Sequence, residues 1–387
     1  MTSTNFPAQI TLSFSRSASI IAVATGEKYP WAQTALEATG FQRRQDGTYA
    51  LAVEDPQATQ ATVVELLRTA ERHQSSVKIS GRSYIGDVAE GIVAHLPGQW
   101  NAKVDVYSHP IWQEDLVPLL WDAGELAKAV QTARIPSAAV LSDGAGTELL
   151  LVERPGHRQD YLLGAFAPEG FDDNYDEPHA PSSLVIPGAA QPAARAITDR
   201  FLPAYRRAVH TRRVAAISSA LQRIREESET WEVIKASGRY SDGSPVAAAG
   251  LSGAEEAFAD LSWYAFRDVL LHTLAVLEQH RPAEPAVPQE AAALKRLEDA
   301  LAHGEKILAD WNNGPTDLRS AYADAKADRD ARMRPVIETW LADGDVFLRQ
   351  ARAATPTAPS APPSKDRALA ALPPALPAPP GSTPARR

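Results

Sequence analysis

Cysteine is absent from the 387 residues, and methionine occurs only twice. Without thiols there is no disulfide framework, no thiolate nucleophile, no Fe–S cluster and no zinc site built on Cys. No apolar run approaches the roughly 18 residues that a bilayer span requires. The opening MTSTNFPAQI carries no basic stretch ahead of an apolar one, so no secretory signal is expected. A cytoplasmic protein without a membrane partner is the resulting expectation. An excess of positive charge is also missing. Lys and Arg total 39 against 48 Asp and Glu, a net charge of -9, which argues against a generally basic nucleic-acid binder.

Chemistry with a fixed spacing is missing as well. There is no G-x-x-x-x-G-K-[ST] phosphate cradle, no G-x-G-x-x-G after a strand, no G-x-S-x-G elbow and no H-E-x-x-H. The nine histidines are scattered, and His272 and His280 form the one short pair. These absences imply no cofactor and no metal. An enzyme assembled from distant segments stays open.

What is present divides into three parts. Residues 1–190 mix short β-branched runs with short helical patterns. Gln9–Arg16 alternates as a half-buried strand does, Asp46-Gly47 separates two strand-like runs, and Asp143–Gly146 loops a second hairpin within Ala138–Glu153. Pro56–His73 places Val63, Leu66, Leu67 and Ala70 on one helical face. The expected fold is α+β with a largely antiparallel sheet.

Residues 195–353 read as long helices. Pro203 suits a first helical turn, and neither Gly nor Pro follows up to Ala236. Leu202, Tyr205, Val209, Ile217, Leu221, Ile224 and Trp231 trace one stripe over about 50 Å of helix. A second helix near 252–280 shows Phe258, Leu261, Ala265, Val269, His272 and Val276 on its apolar face. Helices at 289–312 and 316–352, the last with a kink expected at Pro335, complete an all-α bundle or arm. Phe258, Leu261, Trp263, Tyr264, Phe266, Trp311 and Trp340 are expected to be bundle core. Residues 354–387 hold 10 of the 30 prolines and no aromatic residue, the composition of a disordered Pro/Ala-rich tail.

Four stretches gather groups that carry chemistry. Residues 104–125 bring Tyr107, His109, Trp112, Gln113, Glu114, Asp115 and Trp121 together after a strand. His109 and Asp115 are the acid/base candidates there, and Tyr107, Trp112 and Trp121 the binding-loop aromatics. The plainer reading is a loop whose tryptophans pack on the core. In ERPGHRQDY, Arg154 and His157 are supporting candidates if that turn reaches His109; a solvated hairpin loop is the alternative. FDDNYDEPHAP clusters carboxylates but lacks a calcium-loop pattern, which leaves an acidic linker. Arg206, Arg207, Arg212 and Arg213, with Arg195, Arg200 and His210 nearby, crowd the start of the long helix. They are the nucleic-acid contacts if they share an exposed face, and a solvated, ion-paired face otherwise.

The phrases ATGEKYPWAQTALEATGFQRRQDGTYAL, YSHPIWQEDLVPLLWDAGELAKAVQ, LLLVERPGHRQDYLLGAFAPEGF and ADRDARMRPVIETWLADGDVFLRQARAA resemble uncharacterised proteins of Streptomyces-type actinobacteria. The resemblance implies no activity and no site residues. The expected function is therefore non-enzymatic: an accessory or interaction protein that docks a protein partner through its long helices. An enzyme of the hydrolase class on the N-terminal domain is the first alternative, and nucleic-acid association the second. Homo-oligomerisation follows if an apolar helical stripe stays uncovered within one chain.

Overall fold

The structure is a computed structural model. It describes residues 7–171, 178–240, 242–246, 248–279, 287–313 and 319–354. The acidic 172–177 segment, the Pro282–Pro285 joint, His280 and the tail from 355 onward lie outside the described residues. The chain divides into two compact units, Met1–Thr211 and Arg212–Arg387. The first is α+β and the second is built from long helices.

The first unit holds two sheets. One orders its strands β3 (Gln42–Arg43), β4 (Tyr49–Ala52), β2 (Ser19–Thr25), β1 (Ala8–Ser15) and β5 (Ser75–Ser83). Its neighbours are antiparallel except β1 and β5, which run parallel. Helices α1 (Tyr29–Ala38) and α2 (Pro56–Arg72) cover one face and enclose Ile10, Leu12, Ala22, Leu36, Tyr49 and Leu66. The Asp55 carboxylate caps α2 by accepting from the Gln57 N–H at 2.9 Å, and Pro56 follows at a position that needs no N–H.

The second sheet orders β11 (Leu184–Pro187), β10 (Asp160–Phe166), β9 (Glu148–Glu153), β8 (Ser137–Ser142) and β6 (Asn101–Val106), all antiparallel. A short β7 (Leu120–Trp121) pairs with the end of β10. Strand β9 shows why its sequence is an unbroken apolar run. Leu149 and Leu151 enter one core, with α3 (Ile85–Val93) and α6 (Ala190–Ala196), while Leu150 and Val152 enter the other, beneath α5 (Glu125–Thr132). Between β6 and β7 lie a short helix, α4 (Ile111–Glu114), and a 3-10 turn at Val117–Leu119.

Pro203 falls in the first turn of the long helix, but helical backbone already precedes it. Helix α6, a π turn at Ile197–Phe201 and α7 (Leu202–Ser237) follow one another without a gap. A wider i→i+5 turn just ahead of the proline accommodates its missing N–H. Leu202, Tyr205 and Val209 pack into the first unit's core. From Val214 onward, α7 belongs to the second unit's core, with Ile217, Leu221 and Ile224.

In the second unit, α8 (Ala248–Gln279), α9 (Pro288–Asn312) and α10 (Arg319–Ala353) pack with the rest of α7 around Trp263, Phe266, Leu297, Ile307, Met333 and Trp340. Helix α10 continues through Pro335 as one element. Close approach needs small residues. A Cβ on Gly304 would meet a Leu270 methyl at 2.9 Å, and one on Gly344 would meet a Leu221 methyl at 2.8 Å. Of the residues expected in this core, Phe258 is half-buried, and Leu261 and Tyr264 are exposed, at 51% and 60%. The last two lie about half a turn from the buried Ser262, Phe266, Val269 and Thr273.

Candidate functional site

The loop that follows β6 is pinned from inside. Gln113 is buried; its Nε2 donates to the Val130 and Ala133 carbonyls at 2.6 Å each, and its Oε1 accepts from the Ile135 N–H at 2.8 Å. Arg134 donates to Gln113 Oε1 at 2.8 Å and to the Tyr107 and Ser108 carbonyls. Burial lowers the Arg134 pKa, and the Tyr107 and Ser108 carbonyls accept hydrogen bonds from its guanidinium. The loop is thus held by one amide and one guanidinium, while Glu114 and Asp115 face out.

His109 is half-buried, and its Nδ1 accepts from the Ile111 N–H at 3.3 Å. Its ring lies 6.3 Å from that of Trp112, which in turn lies 5.4 Å from Tyr29. Asp115 is exposed at the C-terminal end of α4. No hydrogen bond or ion pair joins His109 to Asp115 among the described residues. Tyr107 and Trp121 do not line a binding loop. Tyr107 is buried beneath α5, and burial together with nearby Asp105 raises its phenol pKa. Trp121 is fully buried, edge-on to Phe171 at 5.2 Å and Tyr205 at 5.9 Å. Of the three aromatics, Trp112 alone is exposed.

The ERPGHRQDY turn joins β9 to β10. Arg154 forks onto Glu125 at the start of α5, with Nε–Oε1 at 2.8 Å and Nη2–Oε2 at 2.9 Å, and reaches Asp160 at 3.5 Å. The fork lowers the Glu125 pKa and raises that of Arg154. His157, exposed at the turn, lies 3.7 Å from Asp160. Arg82 on β5 completes the cluster. It donates to the Asp160 and Arg154 carbonyls at 2.9 Å each, lies 3.5 Å from Glu153 and stacks 5.4 Å from the Tyr161 ring. Burial raises the Glu153 pKa, against the pull of Arg82 and Lys78. Arg82 ties the two sheets together, and sequence reasoning missed it. Its neighbours Ser80, Gly81 and Ser83 give no periodic signal, and its partners lie more than 70 residues away.

Register brings the two loops to the same end of one sheet. Val106 pairs with Ser137, and Ala139 with Leu151, so β8 stands between them. Among the described residues no bond, ion pair or ring contact links His109 or Asp115 to Arg154 or His157. Arg154 is already charge-compensated, and His157 stands in solvent. The arrangement fastens a hairpin.

The basic stretch is unevenly presented. Arg195, Arg200 and Arg207 are exposed and Arg206 is half-buried, all in the first unit; Arg212 and Arg213, half-buried, belong to the second. His210 is buried. An open cavity of about 360 Å³ runs along Gln191, Arg195, Asp199 and Arg200, one face of α6 and the π turn. Among the described residues no three His, Asp or Glu gather as they would around a metal ion. No helix of the described residues is long and apolar enough to cross a membrane. Set against known protein families, curated proteins and solved structures, the chain matches none of them.

Proposed function

We propose that the chain is a non-enzymatic docking protein whose helical unit receives an amphipathic helix of a partner protein. The observation that carries this reading is a second stripe on α8. Ala257, Leu261, Tyr264, Asp268, Leu271 and Ala275 recur at alternating spacings of four and three, the period of a helix–helix seam. The first three are exposed and the others partly exposed, while the opposite stripe, from Ser262 through Phe266, Val269, Thr273 and Val276, is buried. Small residues end the outward seam, so a second helix can approach closely. Asp268 stands in its middle, held by Arg223 of α7 at 2.7 Å. A partner helix would bring apolar side chains at matching spacing and a donor opposite Asp268. The Arg154 and Arg82 side chains of the first unit support the same reading, because Glu125, Asp160 and Glu153 already engage them.

The test places a photo-crosslinking residue at Tyr264, and separately at Leu261, in the full chain within its native host. Both positions should give adducts with one protein, on a segment whose apolar residues recur at threes and fours. A crosslinker at exposed Lys306 on α9 should give none of that adduct. Absence of adducts, equal capture from Lys306, or adducts only with a second copy of this chain would overturn the reading.

A further inference from the structure

We propose that the first unit carries a second, separate interface, by which two copies of this chain join through the β5 edge and the helix above it. The argument starts from the sheet order, in which β5 is a terminal strand. Terminal strands expose unpaired N–H and C=O groups, and are ordinarily blunted with charge or covered. Here the helix-covered side of the edge is apolar, with Val77 and Ile79, while exposed Lys78 stands on the other side. Ile79 is 74% exposed and Phe14, on neighbouring β1, is 60% exposed. Register places both on the helix-covered face: Ile79 pairs with Leu12, a residue of the core beneath α1 and α2, and Phe14 pairs with Ile20, which packs against that core.

Helix α2, which packs over β5, also leaves two large apolar side chains uncovered among its charged ones. Val64 and Leu67 are 40% and 47% exposed. The fringe therefore spans both layers of the domain, sheet and helix. A lone extended segment adding to the sheet would cover the strand and leave the helix bare. A second copy, related by a two-fold axis, covers both at once, strand against strand and α2 against α2. The polar surface of α2 fits this arrangement. Glu65 pairs with Arg72 at 3.1 Å and with Arg68 at 3.7 Å, so the helix offers both signs of charge to its own image. Regular pairing covers Ser75–Ile79, because the register against β1 shifts beyond Ile79. Lys78 meets its own image only if the axis passes through it; an axis at Val77 or Ile79 sets it opposite a serine.

Sedimentation equilibrium of the full chain tests the proposal, aided by the absence of native cysteine. The chain should sediment at twice its own mass. Ile79→Asp with Leu67→Asp should weaken association at least about tenfold, as loss of central apolar contacts does, with unchanged circular dichroism. In an otherwise unaltered chain, Leu67→Cys should form a disulfide-linked dimer under mild oxidation, while Ser219→Cys on α7 should not. A monomer at every concentration, or a dimer that withstands both Asp substitutions, would overturn the proposal. A dimer abolished instead by Tyr264→Asp would also overturn it, and would move self-association to the α8 seam.

Discussion

The two units bury polar groups in opposite ways. The first keeps them neutral: the phenols of Tyr49, Tyr84, Tyr107 and Tyr161 all have pKa values raised by burial, and Gln113 anchors a loop through its amide. The second buries charge. Arg329, 4% exposed, lies 4.7 Å from the Trp263 ring and 4.5 Å from Trp311, and donates to Asp260 at 2.9 Å and Asp330 at 2.6 Å. Around it, Arg225–Asp345, Arg296–Asp343 and Arg332–Asp310 bridge one helix to another. The contrast has a physical root. Strands are joined by backbone hydrogen bonds, so side chains need only pin loops. Helices satisfy their own backbones, so their mutual register falls to side chains, and planar guanidinium forks are suited to set it.

Arg329→Leu should give the largest effect. It leaves Asp330 without its guanidinium, frees two tryptophan faces and leaves Asp260 with Lys326 alone. Breaking a buried pair from one side costs roughly 3–5 kcal/mol. Amide exchange in α8, α9 and α10 should accelerate, with both sheets unaffected. Equal acceleration in the sheets would erase the contrast. Gln113→Ala comes next and acts on the other unit. It leaves the Val130 carbonyl and the Ile135 N–H without their partner, at about 1–3 kcal/mol for each such group. Exchange should rise across 107–121 and in α5, with the helical unit unchanged.

The pH dependence should separate the units on the alkaline side. Burial, with a hydrogen bond to Glu37, pushes the Tyr49 pKa up to about 12 from 10.0. The folded chain therefore keeps a proton that the unfolded chain releases, and stability present below pH 10 is lost as pH rises towards 12. Tyr49→Phe should flatten that limb in melts of the first unit. Asp260 works in the opposite direction. Burial raises its pKa, but hydrogen bonds from Lys326 and Arg329 outweigh burial and hold it below 3.8. Its contribution is present above pH 3.8 and is lost as pH falls through the lowered value. Asp260→Asn should flatten the acid limb of the helical unit. Asp46, also held low, gives the first unit an acid limb of its own.

The same contrast explains what the sequence revealed. Local pattern was readable: every residue of the α7 stripe from Leu202 to Trp231 is buried, and the hairpins at Asp46-Gly47 and Asp143–Gly146 form as their turns imply. Partners far apart in the chain were not. Nothing near Arg82 or Arg329 announces carbonyls more than 70 residues away or a pair of tryptophans on other helices. The parallel pairing of β1 with β5 was hidden for the same reason. Helix α8 misled because it is apolar on two faces, so spacing alone assigned Leu261 to the core. Among the candidate site residues, type and neighbourhood were legible, but not what each one faces. Arg154 is spent on Glu125, and Trp121 is core.

The smallest expected effect bears most directly on function. Tyr264 is 60% exposed, and the buried stripe of α8 lies on the opposite side of the helix. Tyr264→Asn should therefore change the stability of the helical unit by no more than about 0.5 kcal/mol, the range of surface substitutions that touch no core, cap or ion pair. Phe266→Ala, at the same depth along α8 but on its buried side, should cost roughly 3–5 kcal/mol. Comparing the two by urea unfolding asks whether the outward seam contributes to folding at all. A cost above about 1 kcal/mol at Tyr264 would give the seam a structural role and remove the reason to assign it to a partner. A near-zero cost leaves an apolar, helix-spaced surface that folding does not explain, as the proposed partner helix requires.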